Sequence, residues 1–147
     1  MSSRHVMEEV MLKIKGTQFN SESGEEVMEF ATEAKLYRKN DAIYLIYDES
    51  EFSGMPGCRT RLRLKDDEVQ MKRVGKGIGD GHELKFRKGE RFTTTYHTPF
   101  GPIELEVLTN ELENTLLSDD GGQINIDYNI SLKGLSEGRN KLNITLM

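Results

Sequence analysis

The sequence predicts an all-β fold, a single domain built as an antiparallel up-and-down β-barrel of about ten strands. Three observations predict it. Apolar and polar residues alternate with period two along most of the chain, as in Val10-Met11-Leu12-Lys13-Ile14-Lys15 and Ile103-Glu104-Leu105-Glu106-Val107. Successive side chains on a strand point to opposite faces, so such runs describe half-buried antiparallel sheet. Almost nothing follows the period of about 3.6 residues that an amphipathic helix requires. Short turn signals separate the runs at hairpin length, which suits a meander. An open sheet of this size would leave two edges and an apolar face uncovered, with no helix to cover them. Closing it on itself removes both problems.

The first strand, about Glu8–Gln18, ends in Asn20-Ser21-Glu22-Ser23-Gly24. Strands over Glu26–Lys39 and Ala42–Ser50 meet at Asn40-Asp41, a pair that tolerates positive φ and suits a tight two-residue hairpin. A looser segment, Glu51 to Gly57 around Met55, leads to strand four, Cys58–Lys65, which turns at Asp66-Asp67 into Glu68–Val74. The glycine-rich Gly75–Gly81 loop precedes His82–Lys88, and Gly89-Glu90 reads as the Gly-X of a type II′ turn into Arg91–Thr98. At Thr98-Pro99-Phe100-Gly101, Pro99 presets φ and Gly101 supplies the left-handed position of a bulged turn. Strand eight follows over about Pro102–Leu116. Strand nine, Gln123–Lys133, lies beyond Ser118–Gly122, and strand ten, Asn140–Met147, lies beyond Gly134–Arg139.

Composition narrows the function classes. At 147 residues the chain fits one domain, and a net charge of −5 argues against nonspecific binding of duplex nucleic acid, which needs a basic surface. Cys58 is the only cysteine, which excludes an intrachain disulfide and agrees with a reducing compartment. The N-terminus lacks the apolar core of a signal peptide, and no window has the apolar length of a membrane span. The expected setting is cytoplasmic, without membrane or nucleic-acid partners.

Alternation also says which polar residues face inward. Arg73 shares parity with Val69 and Met71, and Tyr47 shares parity with Ile43 and Leu45. Tyr96 goes with Phe92, and Tyr128 with Ile124 and Ile126. A guanidinium buried without a partner is very costly. Arg73 therefore either holds a ligand carboxylate or phosphate, with tyrosine hydroxyls as further donors, or pairs with an interior carboxylate or reaches out of the barrel mouth. The tyrosines read equally as ordinary aromatic filling. Cys58 has the parity of Thr60, Leu62 and Leu64, and a buried thiol is usually inert.

Outward positions are less informative. Arg59, Arg61, Arg63 and Lys65 line one face of strand four, without aromatic residues between them on that strand, and read as a solvated face. Glu29, Glu33, Glu104 and Glu106 read likewise. Gly75-x-Gly77-x-Gly79 has the wrong spacing for a dinucleotide fingerprint, and Lys76 is not followed by Ser or Thr. His5, His82 and His97 are scattered, no His or Cys pair stands at metal-ligand spacing, and no serine has a nucleophile-elbow context. Neither a metal, a cofactor nor a catalytic group is expected.

Met71-Lys72-Arg73-Val74-Gly75, Thr98-Pro99-Phe100-Gly101-Pro102-Ile103-Glu104-Leu105 with Thr109 beyond, and Ile124-Asn125-Ile126-Asp127-Tyr128 give the chain a family likeness over essentially its whole length. It resembles the bacterial YwiB-like family, domain of unknown function 1934, which implies a calycin-like (lipocalin-type) barrel in a cytoplasmic setting. The chain departs from true lipocalins in having no Trp. The functional expectation is noncatalytic binding of a small amphipathic or anionic ligand, with Arg73, Tyr47, Tyr96 and Tyr128 facing it. The alternative is a side-chain-filled barrel that acts as a protein-interaction or structural module, for which a homodimer is one compatible form.

Overall fold

The alternation becomes ten strands in one antiparallel sheet, rolled into a nearly closed barrel. The computed structural model describes residues 7–20, 24–49, 57–75, 82–98, 100–116, 122–132 and 136–147, apart from the side chains of Asn20, Tyr96, His97, Thr98 and Ser136. The strands are β1 (Glu8–Asn20), β2 (Gly24–Lys39), β3 (Ala42–Asp48), β4 (Cys58–Lys65), β5 (Glu68–Gly75), β6 (His82–Arg87), β7 (Arg91–Thr98), β8 (Gly101–Asn114), β9 (Gln123–Leu132) and β10 (Ser136–Leu146). Their spatial order is β6-β5-β4-β3-β2-β1-β10-β9-β8-β7. Each strand thus pairs with its neighbour in sequence except at β6 and β7, and the first and last strands pair with each other, with Leu12 opposite Leu146 and Phe19 opposite Arg139.

Parity decides what fills the interior. Leu12, Leu45, Leu62, Leu64, Phe86, Val107 and Ile124 are 0% exposed. Zero accessibility means that not even water touches them, so the middle of the barrel is packed by side chains. On the outer wall stand charged residues such as Lys13, Glu29, Arg59 and Arg61, the reverse of a membrane barrel with its apolar outside. Among the described residues no helix is long and apolar enough to cross a membrane.

Turn chemistry holds at Asn40-Asp41, where φ is 51° and 63°, as the left-handed pair of a tight hairpin demands. Gly101 has a φ of 112°, and it pairs with Thr98 across the turn. The turn at Gly89 departs from expectation. Glu90 N–H donates to the Arg87 carbonyl at 2.9 Å, and Gly89, with a φ of 80°, is therefore the third residue of the turn. That is the type II position, not the first central position of a type II′ hairpin. The physical consequence is large: β6 and β7 do not pair, and they form the two edges of the sheet. The seam is bridged at one end, where Gly89 N–H donates to the Thr109 carbonyl at 2.8 Å and Thr109 N–H to the Glu90 carbonyl at 3.2 Å. A further departure is a β-bulge in β8 between Thr109 and Glu111. The glycine loop after Gly75, the segment around Met55, and Pro99 lie outside the described residues.

Candidate functional site

Up-and-down topology puts the C-terminal ends of β1, β3, β5, β7 and β9 at one end of the barrel with the N-terminal ends of the even strands. Inner side chains become more exposed towards that end. On β9, Ile124 and Ile126 are buried while Tyr128, Ile130 and Leu132 are half-buried. On β10, Ile144 is buried and Leu142 half-buried, and on β2 the series runs from buried Ala34 through half-buried Thr32 and Phe30 to exposed Met28. The facing wall of β3 and β4 stays buried and turns polar. It carries Tyr47 and Glu49 on β3 and just beyond it, and Thr60 on β4.

Arg73 sits on β5 opposite Thr60 and His82, on the inner face with Met71. Its side chain is 29% exposed, and its Nε lies 3.5 Å from Glu49 Oε1, whose side chain is only 2% exposed. Thr60 joins the pair: its hydroxyl donates to Glu49 Oε1 at 2.5 Å and accepts from Arg73 Nε at 3.3 Å. Glu49 is fixed by its backbone N–H, which donates to the Cys58 carbonyl at 2.8 Å. Gly75 closes this corner. A Cβ there would stand 2.6 Å from the Gly57 carbonyl oxygen and 2.7 Å from Cys58 Cα, so β5 approaches the start of β4 only because residue 75 lacks a side chain.

Electrostatics follow from this packing. The Tyr47 hydroxyl is pushed up to about 12 by burial first and by the Glu49 carboxylate next, against the pull of Arg73 and hydrogen bonding to Thr60. Burial likewise raises Tyr128, with Arg73 opposing, which places that ring within the same field. Tyr128 packs edge-on against Phe86 with centroids 4.9 Å apart. The His82 imidazole is held below its ordinary value by burial and then by the Arg73 charge.

Of the residues singled out by parity, Arg73, Tyr47 and Tyr128 come together. Tyr96 occupies an inner register position opposite Ile103, with its side chain outside the described residues. Sequence reasoning missed Glu49, Thr60 and His82 as partners of Arg73. Each carried a signal: Glu49 continues the odd-numbered series of Ile43, Leu45 and Tyr47, Thr60 the even series of Leu64 and Leu62, and His82 the even series of Phe86 and Leu84.

The sequence matches the model of a family described as Domain of unknown function (DUF1934) over residues 12–144. The chain belongs to that family. Among DUF1934 relatives, it is 27% identical over 124 residues to the uncharacterized β-barrel protein YwiB of Bacillus subtilis (strain 168), covering 84% of this chain and 83% of YwiB. The crystal structure of the ywiB protein from Bacillus subtilis superposes with a TM-score of 0.73, covering 96% of this chain and 93% of that one at 21% identity. The barrel is therefore the DUF1934 fold.

A groove of roughly 600 Å³ lies on the outer wall of the DUF1934 barrel, away from Arg73, lined in part by Thr17, Asn125, Asp127 and Asn143. Its polar groups are largely satisfied internally. Asp127 accepts from Arg139 Nε at 3.0 Å and Nη2 at 2.6 Å, and Asn143 donates to Asn125 at 2.5 Å. Hydrogen bonding from Arg139 first, with Asn110 adding to it against the opposing effect of burial, holds the Asp127 carboxyl below its usual range.

Proposed function

We propose that this chain is a noncatalytic binding protein that takes a small amphipathic ligand with an anionic head into the open end of its barrel. One observation carries the reading. Inner side chains pass from fully buried to half-buried towards the end where Arg73 stands, so an apolar wall of Phe30, Ile130 and Leu142 and a guanidinium border the same opening. Glu49 and Thr60 meet Arg73 at Nε. A guanidinium also carries two terminal NH₂ groups, the end of the fork that clasps a carboxylate or phosphate. Glu49 balances the charge, so the site does not depend on a ligand to fold. A cytoplasmic, calycin-like binding role fits this arrangement, with Cys58 buried and outside any disulfide.

The test is thermal unfolding with decanoate and with decanol. Ligand at about a hundred times its dissociation constant stabilises by about 2.7 kcal/mol. The expected result is stabilisation by decanoate well beyond that by decanol, with the excess gone in Arg73→Met. Equal effects of both compounds, or an undiminished excess in Arg73→Met, would refute the reading. A second reading, an interaction module with a filled barrel, is favoured by the zero exposure of the central residues. Light scattering on a size-exclusion column distinguishes it, since that module forms a stable oligomer whereas the ligand carrier needs none.

A further inference from the structure

Cross-strand register assembles an outer-wall surface that no single strand displays. Lys35, Ile46, Arg61, Lys72 and Glu83 stand in one row across β2 to β6. The next row is Tyr37, Tyr44, Arg63, Gln70 and Lys85. Lys65, Glu68 and Arg87 form a third, Asp48 and Arg59 begin a fourth, and Lys39 lies at the edge. Outward positions in these paired segments carry nine cations against three carboxylates, in a chain whose net charge is −5. Two of the three carboxylates are matched, Asp48 by Arg59 at 2.8 Å and Glu68 by Lys85 at 3.8 Å. Lys35, Arg61, Lys65 and Lys72 have no ion pair among the described residues.

The wall also holds aromatic rings, which strand four alone does not reveal. Tyr37 and Tyr44 stack with centroids 4.7 Å apart and planes 2° from parallel. The Arg61 guanidinium lies 5.8 Å over the Tyr44 ring, and Arg63 Nε donates to the Tyr44 hydroxyl at 3.2 Å. Net charge is a poor guide to such a surface. Screening limits exposed charges to about 8 Å at physiological ionic strength, and opposing walls stand about 10 Å apart before their outer side chains are added. Carboxylates elsewhere on the barrel therefore do not cancel the basic wall.

We infer that the β2–β6 outer wall is a docking surface for single-stranded nucleic acid. The charge selects a polyanion, and the cations of β4 recur about every 6.6–6.8 Å, as alternate residues on a strand do, forming a track for a flexible backbone. The tyrosines select a polyanion that carries bases, because aromatic rings beside cations are what stacks and holds unpaired bases. An acidic protein would use the charges and leave the rings without a role. A second copy of this chain, whose net charge is −5, is the other competitor.

The test is fluorescence anisotropy of a labelled oligouridylate of about 15 nucleotides, titrated with the whole protein over a range of salt. Affinity is expected to fall with salt on a slope of about −0.7 per neutralised phosphate, and Arg61→Gln or Lys72→Gln should each flatten it by about that amount. Tyr37→Leu should weaken oligouridylate about tenfold, while leaving the binding of inorganic polyphosphate, measured by competition, unchanged. Absence of binding at low salt would overturn the inference, as would polyphosphate and oligouridylate losing affinity together in Tyr37→Leu. Salt-sensitive self-association abolished by Arg61→Gln, without oligouridylate binding, would assign the wall to a second copy instead. If Tyr37→Leu does not fold, the exposed Arg61→Gln substitution and the polyphosphate competition decide between the same outcomes.

Discussion

Arg73 shows how a half-buried cation is tolerated at the mouth of an apolar barrel. Its partner Glu49 is almost wholly buried, and Thr60, at 0% exposure, bonds to both. Arg73→Met would strand a carboxylate in a low-dielectric corner, and breaking a buried pair by removing one partner is strongly destabilising. With Arg73 partly in solvent, the expected loss is about 2–4 kcal/mol in urea unfolding. Adding Glu49→Gln should recover part of it, and a double variant as unstable as Arg73→Met alone would contradict the pairing. Tyr47 tests the same corner at high pH. Its acid form is favoured by folding, so it contributes nothing pH-dependent below its ordinary value of 10. Between pH 10 and about 12 the unfolded chain releases this proton and the folded chain does not, so stability falls as pH rises. The full effect is about 2–3 kcal/mol. In an ultraviolet phenolate titration Tyr47 should ionise among the last tyrosines, and Tyr47→Phe should remove that late step and flatten the alkaline loss of stability.

At the scale of elements, period-two alternation was enough to locate all ten strands and most inward residues, because each strand's parity is written in its own apolar series. Reading stopped too early where that series turns polar, which is why Glu49 and His82 escaped notice. The β8 bulge also left a trace. Apolar parity switches from Leu105 and Val107 to Leu112, as an extra residue, Asn110, demands. Asn110 is turned outward, and it donates to Asn129 at 2.7 Å and Asp127 at 3.3 Å. What pairs with what across strands is not written in any one of them. Hence the Tyr37–Tyr44 stack and the missing β6–β7 ladder emerged only from register. Two glycines give a paired prediction. Gly75→Ala forces a Cβ against the Gly57 carbonyl at a φ of 149° and should cost about 1–3 kcal/mol. At Gly138 nothing lies within 4 Å of the place a methyl group would take, so Gly138→Ala should be neutral or slightly stabilising. Similar denaturation midpoints for both variants would contradict the close approach of β5 to β4.

At the scale of the whole molecule, the meander joins its two ends through β1 and β10 and leaves its only unpaired seam, among the described strands, between β6 and β7. The fold class was legible from sequence because closing a sheet is the one economical way to bury so many one-sided strands. The site was legible only in part, since parity names inward residues without saying how far along the barrel side-chain packing reaches. Full burial fills the middle, and towards the Arg73 end it gives way on β2, β9 and β10 while β3 and β4 stay buried. That distribution is the central claim, and methyl-resolved NMR with decanoate tests it most directly. Shifts are expected at Ile130, Leu132 and Leu142, with Ile43, Leu62 and Ile124 unmoved. Shifts at the deeply buried methyls, or none at the mouth, would contradict it.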